Sequence, residues 1–226
     1  MNKTSIEWVV NPDGTQGWTW NPITGCLNSC PYCYAREIAN SPRYQGNFEP
    51  KFHPERLNDP IKIKKPSTIF VGSMADMFGK WVDNKWIDQV IDITRKCPQH
   101  RFLFLTKNPN RYESFIIPPN CWIGYTATST KKCCFDFRGK GNFYLSAEPL
   151  LGEVYIKENL EWIIIGALNT NGKPCYTKKE WVLHLIEQAD SKNIPVFIKD
   201  SLYKLYPELP QRRELPYLNL GRVAPE

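Results

Sequence analysis

The chain has 226 residues, of which 42% are hydrophobic and 23% charged, and its 29 basic and 23 acidic side chains give a formal net charge of +6. This composition excludes a disordered tail, a collagen and a coiled coil. No apolar run is long enough for a membrane span and the first residues lack a secretory signal, so we expect a cytoplasmic protein without a membrane partner. The positive charge favours a polyanionic partner, nucleic acid or a nucleotide.

Seven short runs rich in apolar and β-branched residues predict β-strands. Several are apolar at consecutive positions, which is typical of parallel strands buried on both faces. In chain order the predicted strands cover residues 18–22, 69–73, 101–106, 122–126, 143–146, 162–166 and 196–199.

Three helical patterns lie between these strands. A short helix is predicted over residues 34–40, and a longer one over 85–96 with Asp83 or Asn84 as its cap. The sequence Thr177-Lys-Lys-Glu180 has the form of a capping box, and the helix that follows it ends before Asn193. Alternating strands and helices predict an α/β fold with mostly parallel strands and right-handed crossovers.

The number of strands favours an open or incomplete barrel over a closed one with eight strands, which typically needs about 250 residues. The middle strands are so close in sequence that some crossover helices must be short or replaced by loops. No linker interrupts the chain, so we predict one domain over residues 1–210 and a C-terminal tail over 211–226.

Three of the eight cysteines lie in one octapeptide, Cys26-Leu-Asn-Ser-Cys30-Pro-Tyr-Cys33, directly after the first predicted strand. In a reducing compartment, clustered cysteines indicate metal or redox chemistry before disulfides. Three thiolates on one loop suit three corners of an iron–sulfur cluster and leave the fourth iron open. Zinc is the alternative, although a structural zinc site takes four protein ligands and the nearest histidine, His53, lies twenty residues downstream.

This C-x3-C-x2-C loop between a strand and a helix resembles the radical S-adenosylmethionine superfamily, in which an aromatic residue, here Tyr32, precedes the third cysteine. The resemblance implies a partial (β/α)6-type barrel, a [4Fe-4S] cluster held by Cys26, Cys30 and Cys33, and S-adenosylmethionine bound at the open iron. It also implies reductive cleavage of that cofactor to a 5′-deoxyadenosyl radical, with electrons from a donor of flavodoxin or ferredoxin type.

Longer segments resemble the phage Gp37/Gp68-like family (DUF5131 type), a group related to radical S-adenosylmethionine proteins whose substrates are largely unassigned. The segments are Ser5-Ile-Glu-Trp8, Trp20-Asn-Pro-Ile-Thr-Gly-Cys26, Cys33-Tyr-Ala35, Phe70-Val-Gly-Ser-Met-Ala-Asp-Met-Phe78, Leu105-Thr-Lys-Asn-Pro109, Ser146-Ala-Glu-Pro-Leu-Leu-Gly152 and Trp162-Ile-Ile-Ile-Gly166. Many members space their first two cysteines more widely. The family's Gly-Gly-Glu-Ser-Gly after the sixth strand reads Gly166-Ala-Leu-Asn-Thr170 here, without the acidic residue.

Polar side chains follow almost every predicted strand, where barrels of this kind carry their chemistry. Lys107, which could bind a carboxylate or phosphate, and Glu148, a possible acceptor for a ribose or substrate hydroxyl, are the catalytic candidates. The cofactor-binding candidates are Tyr32, Ser73, Asp76, Thr106, Thr126, Ser146 and Asn169. Each also has a structural interpretation as a turn cap or a solvated loop residue.

Two other functions remain open at this stage. The chain could be a metal- or cluster-binding module that interacts with nucleic acid without radical catalysis, or an electron-transfer protein with a fourth protein ligand. Only five further cysteines could supply that ligand, and we expect them to be buried or idle thiols: Cys97, Cys121, Cys133, Cys134 and Cys175.

Overall fold

The computed structural model describes residues 1–42, 48–129, 135–139, 141–157, 159–170 and 173–218. Their contacts divide the chain into two compact units, Met1–Thr126 and Ala127–Glu226. Each unit combines helices with parallel strands, so the predicted α/β class is confirmed. The partial barrel stays a prediction.

The strands of the first unit are β1 (Asn2–Lys3), β2 (Trp18–Trp20), β3 (Ile23–Thr24), β4 (Lys51–Phe52), β5 (Thr68–Val71), β6 (Arg101–Thr106) and β7 (Cys121–Thr126). Five of them form a sheet with the order β1-β2-β5-β6-β7, in which only β1 runs antiparallel to its neighbour. A separate antiparallel pair is formed by β3 and β4. The helices are α1 (Tyr34–Ala39) and α2 (Asn84–Lys96), with 3-10 helices at Pro54–Arg56, Pro60–Lys62 and Pro109–Ser114.

The consecutive apolar residues of this unit are buried as expected for covered parallel strands. Every residue of β5 and β7 is buried. The Asp83 side chain accepts a hydrogen bond from the Lys85 backbone amide, which confirms the predicted start of α2. The crossover from β6 to β7 contains the 3-10 helix Pro109–Ser114, which confirms that a shortened element can replace a crossover helix here.

The second unit holds the parallel strands β8, β9 and β12 and an antiparallel hairpin of β10 and β11. The strands are β8 (Asn142–Ala147), β9 (Trp162–Ile165), β10 (Leu168–Thr170), β11 (Lys173–Cys175) and β12 (Val196–Ile198). The helices are α3 (Lys179–Ser191), α4 (Asp200–Leu205) and the 3-10 helix Pro216–Leu218. All seven predicted strands are therefore present, with ends that differ by at most two residues.

The predicted capping box at the start of α3 is wrong. Lys178 is the residue that precedes the first helical turn, and no side chain caps the helix there. The Thr177 hydroxyl instead donates a hydrogen bond of 2.9 Å to the Leu150 carbonyl. This tertiary contact engages the hydroxyl that the local sequence pattern predicts as the helix cap. Asn193, with a φ of 54°, follows the helix and leads into β12.

The described residues beyond Pro210 run alongside β12. Arg213 forms an antiparallel bridge with Phe197, and the Glu214 backbone amide donates to the Val196 carbonyl at 3.1 Å. Within the described ranges, no helix has both the length and the apolar character that crossing a membrane requires.

Candidate functional site

Gly25 leads from β3 into the cysteine loop, residues 26–33. Its φ is 85°, and a side chain at this position would collide with the backbone carbonyl of Glu49. The Gly25 amide donates to the Met74 carbonyl at 2.9 Å, and the next amide, that of Cys26, donates to the Phe48 carbonyl at 3.0 Å. The loop therefore begins at a position that only glycine fits, held against the segment after β5.

Backbone turns shape the loop around its three thiols. The Asn28 amide lies 3.5 Å from Cys26 Sγ, as a donor to sulfur, and the Cys33 amide donates to the Cys30 carbonyl at 3.2 Å. Cys33 is also the residue from which α1 begins. Cys26 is buried, whereas Cys30 and Cys33 are partly exposed and line an open cleft of about 340 Å³ with Arg36.

Burial and hydrogen bonding within the loop change the pKa values of two of its residues. Burial raises the pKa of the Cys26 thiol, while the hydrogen bond from the Asn28 amide lowers it. Burial, together with the neighbouring sulfur of Cys30, raises the pKa of Tyr32 to about 12, so its phenol is neutral at pH 7. Lys107 Nζ lies 5.9 Å from the centroid of the Tyr32 ring, which places a predicted catalytic cation beside the loop.

Asp76 connects the loop to the end of β6. Its buried carboxylate accepts hydrogen bonds from Asn28 Nδ2 at 2.8 Å, from the Thr106 hydroxyl at 2.5 Å and from the Lys107 amide at 2.9 Å. Two predicted cofactor-binding residues, Asp76 and Thr106, are thus in direct contact. A carboxylate has about four acceptor positions, so one remains for a ligand donor.

Ser73, a third predicted cofactor-binding residue, joins the end of β5 to the segment after β2. Its hydroxyl lies 3.0 Å from Asn21 Nδ2 and 3.2 Å from Asn21 Oδ1, and its carbonyl accepts a bond of 2.7 Å from the Tyr34 hydroxyl. Asn21 also accepts from the Met74 amide at 3.0 Å. These contacts give Ser73 a structural role at the base of the loop.

The donor set of the loop fits an iron–sulfur cluster by its chemistry. It offers three thiols within eight residues, one of them receiving an amide donor of the kind that supports cluster ligands. Across the described part of the chain, no three His, Cys, Asp or Glu side chains are already gathered as a metal site. By their chemistry Cys26, Cys30 and Cys33 are the residues that would hold such a group, and their thiols are not gathered as a metal site in this structure.

In the second unit, Glu148 follows β8 and pairs with Lys199, which follows β12. Lys199 Nζ contacts Glu148 Oε1, and both side chains are largely buried. Gly166, after β9, lies beneath the pair, because a Cβ there would be 3.0 Å from Glu148 Cδ and 3.1 Å from Lys199 Cδ. The ends of three parallel strands thus meet at one ion pair that packs closely against a glycine.

The remaining predicted cofactor-binding residues have different environments. Thr126 and Ser146 are buried at the C-terminal ends of β7 and β8, and the Ser146 carbonyl accepts a hydrogen bond from the Ala127 amide. Asn169 is exposed in the hairpin of β10 and β11. The structure therefore gathers Tyr32, Ser73, Asp76, Thr106 and Lys107 around the cysteine loop within the first unit.

The other cysteines and the histidines have structural environments where they are described. Cys97 and Cys121 are buried, as predicted, and burial raises the pKa of Cys121 to about 12. Cys133, Cys134 and the side chain of Cys175 lie outside the described residues. His53 contacts the Thr24 hydroxyl at 2.8 Å and Glu55 at 3.2 Å, and so joins β3 to the following 3-10 helix.

Three residues near the loop are missed by the sequence patterns: Asn21, Asn28 and Arg36. Arg36 donates to the Cys26 carbonyl at 2.9 Å. Its position three residues after Cys33, one helical turn into α1, is a signal that could have identified it. For Asn21 and Asn28 the only signal is their place in or beside the cysteine motif, since their partners lie about fifty residues away in sequence.

Comparison with known proteins gives a family but no relative of known activity. No curated protein and no solved structure matches the chain. A family model described as protein of unknown function (DUF5131) matches residues 3–204, in agreement with the family resemblance carried by the sequence segments. Because the match covers most of the 226 residues, the chain belongs to the DUF5131 family.

Proposed function

We propose that this protein is a radical S-adenosylmethionine enzyme that binds a [4Fe-4S] cluster through Cys26, Cys30 and Cys33. The observation that carries the proposal is the cysteine loop itself: its three thiols come after the parallel strand β2 and the short strand β3, and Asp76 joins the loop to the end of β6. The partial (β/α)6-type barrel implied by the resemblance, and the cytoplasmic location expected from the lack of an apolar span and of a secretory signal, belong to this proposal.

When bound, the cluster and S-adenosylmethionine supply one-electron cleavage of the sulfonium and a 5′-deoxyadenosyl radical that abstracts hydrogen from the substrate. The residues of the chain would bind the cluster and S-adenosylmethionine and orient them. The three cysteines hold the cluster, and the acceptor position left on Asp76 suits an ammonium donor. Lys107 offers an exposed positive charge to a carboxylate or phosphate.

In the second unit, Glu148 would act as the acceptor for a ribose or substrate hydroxyl. Its ion pair with Lys199 fixes the direction of the carboxylate above Gly166. We propose this role for Glu148 as a hydrogen-bond acceptor, with Lys199 as its positioning residue.

Charge supports the proposed substrate class and partner. The formal net charge of +6 favours a nucleic acid or nucleotide substrate, whose modification or repair would be the reaction. A reductant of flavodoxin or ferredoxin type would supply the electron.

The test is anaerobic reconstitution with iron and sulfide, followed by dithionite and S-adenosylmethionine, with chromatography for 5′-deoxyadenosine. We expect product from the wild type and none from Cys30→Ala, which should lose iron. Cys97→Ala is the matched control, since it removes a buried thiol outside the loop and should retain both iron and product.

Two results would contradict the proposal. One is uptake of a single zinc ion without iron, which would support the metal-binding nucleic-acid module instead. The other is Cys30→Ala protein with wild-type iron content and product.

A further inference from the structure

Arg36 contacts the cysteine loop from α1. Its Nη2 donates a hydrogen bond of 2.9 Å to the Cys26 carbonyl, and its side chain lines the same cleft as Cys30 and Cys33. Arg36 therefore contacts the backbone of one cysteine of the loop and shares a cleft with the other two.

The guanidinium is held from a second side by Phe48. The Arg36 Cζ lies 5.2 Å from the centroid of the Phe48 ring, and the Phe48 carbonyl accepts from the Cys26 amide at 3.0 Å. Arg36 and Phe48 thus fix the carbonyl and the amide of Cys26 respectively, so the buried cysteine is positioned from both directions.

One donor of this guanidinium has no partner. Arg36 Nε is buried and has no hydrogen-bond acceptor. A buried donor without an acceptor is unfavourable, more so when it carries charge. An anionic group bound at the cleft would offset that cost.

The charges around the loop indicate that this anionic group is the proposed cluster with its three thiolate ligands. Three metal-bound thiolates would add negative charge beside the carboxylate of Asp76, and Glu37 lines the same cleft. Arg36 is the cation that donates to the loop backbone, while Lys107 contacts the Tyr32 ring.

We infer that Arg36 is a positioning and charge-compensating residue of the cysteine site. The inference rests on the proposed function, because it assigns Arg36 a role toward the proposed cluster. Arg36 holds Cys26 in place through its carbonyl, and its fixed positive charge favours the more negative, reduced form of the cluster.

The experiment compares wild type, Arg36→Gln and Arg36→Lys after anaerobic reconstitution. Iron and sulfide content are measured first, with circular dichroism as a check of folding. The midpoint potential for one-electron reduction by dithionite is then determined by redox titration with electron paramagnetic resonance. Arg95→Gln is the matched control, because Arg95 contacts Asp92 and the Ile116 carbonyl instead of the loop.

We expect a more negative midpoint potential in Arg36→Gln, a potential close to wild type in Arg36→Lys, and no change in Arg95→Gln. Loss of iron from folded Arg36→Gln while Arg36→Lys stays loaded would also support the inference. Arg36→Gln with wild-type iron content and potential would overturn it and leave the proposed function standing. A wild-type chain that takes up no iron and sulfide would overturn both.

Discussion

Asn28, inside the cysteine loop, donates a hydrogen bond of 2.8 Å to the Asp76 carboxylate, although 48 positions separate the two residues. The same carboxylate accepts from Thr106 and from the Lys107 amide. Asp76 therefore ties the loop, the segment after β5 and the end of β6 to one buried group.

Replacing Asp76 with alanine should destabilise the first unit by about 2–4 kcal/mol, because three donors lose a buried, charged acceptor. Asp92→Ala, which removes an exposed carboxylate paired with Arg95, should cost less than about 1 kcal/mol. Urea unfolding of both variants measures the difference. Equal stabilities would show that the Asp76 contacts contribute nothing beyond an exposed ion pair.

Gly25 and Gly14 form a second matched pair, because both have a positive φ but only Gly25 is crowded. Nothing lies within 4 Å of a Cβ at Gly14, whereas at Gly25 the backbone of Glu49 and Pro50 occupies that space. Gly14→Ala should cost about 1 kcal/mol, and Gly25→Ala about 3 kcal/mol or more together with loss of iron binding. Thermal unfolding and iron content test this, and a Gly25→Ala protein as stable as Gly14→Ala would contradict it.

Gly166→Ala should separate the ion pair of Glu148 and Lys199 and destabilise the protein by about 1–3 kcal/mol. The clash is mainly with the Glu148 side chain, so the double variant Glu148→Ala/Gly166→Ala should lose less stability than the sum of the two single variants. A double-mutant cycle by chemical denaturation measures the coupling. Strict additivity would show that the glycine is not needed for this pair.

We expect the free energy of unfolding to fall on mild acidification, because His100 is buried. Its Nε2 lies 3.1 Å from the carbonyls of Pro60 and Ile63, and burial lowers its pKa below the ordinary value of 6.5. As pH falls below 6.5 the unfolded chain therefore binds a proton before the folded protein does. Folding free energy is then lost at up to about 1.4 kcal/mol per pH unit between 6.5 and the folded value.

His53 contributes in the same direction, because burial also lowers its pKa. Urea unfolding at pH 7.5 and 5.5 should show a smaller pH dependence for the double variant His53→Gln/His100→Gln than for the wild type. An unchanged pH dependence would assign the acid sensitivity to other groups.

The fold was predictable where the sequence carries long apolar runs. The strands β6 and β9 are runs of consecutive apolar residues, and both are found where predicted. Two-residue strands such as β3 and β4 are too short to show a period, so no pattern could reveal them. The capping pattern at Thr177 failed because the Leu150 carbonyl, distant in sequence, binds its hydroxyl.

The candidate site, like the fold, could be predicted only in part from the sequence. The cysteine motif could be recognised from the spacing of its cysteines, and Asp76 from its place just after a predicted strand. The contacts of Asn28 with Asp76 and of Gly166 with Glu148 depend on strand pairing, which a linear pattern does not contain. The sequence presented Gly166 as the end of a segment that resembles the family, whereas the structure shows that Glu148 and Lys199 pack against it.

The hydrogen bonds that shape the cysteine loop have a consequence for the order of assembly. Those that fix the loop to the segment after β5, from Asn28 to Asp76 and from Gly25 to Met74, join residues 48 and 49 positions apart, across the pairing of β2 with β5. Closing such long segments is slow and entropically unfavourable, so the loop acquires its shape late in folding. A nascent chain presents three thiols on an unorganised segment, and we expect selective metal loading only after the sheet of the first unit has formed.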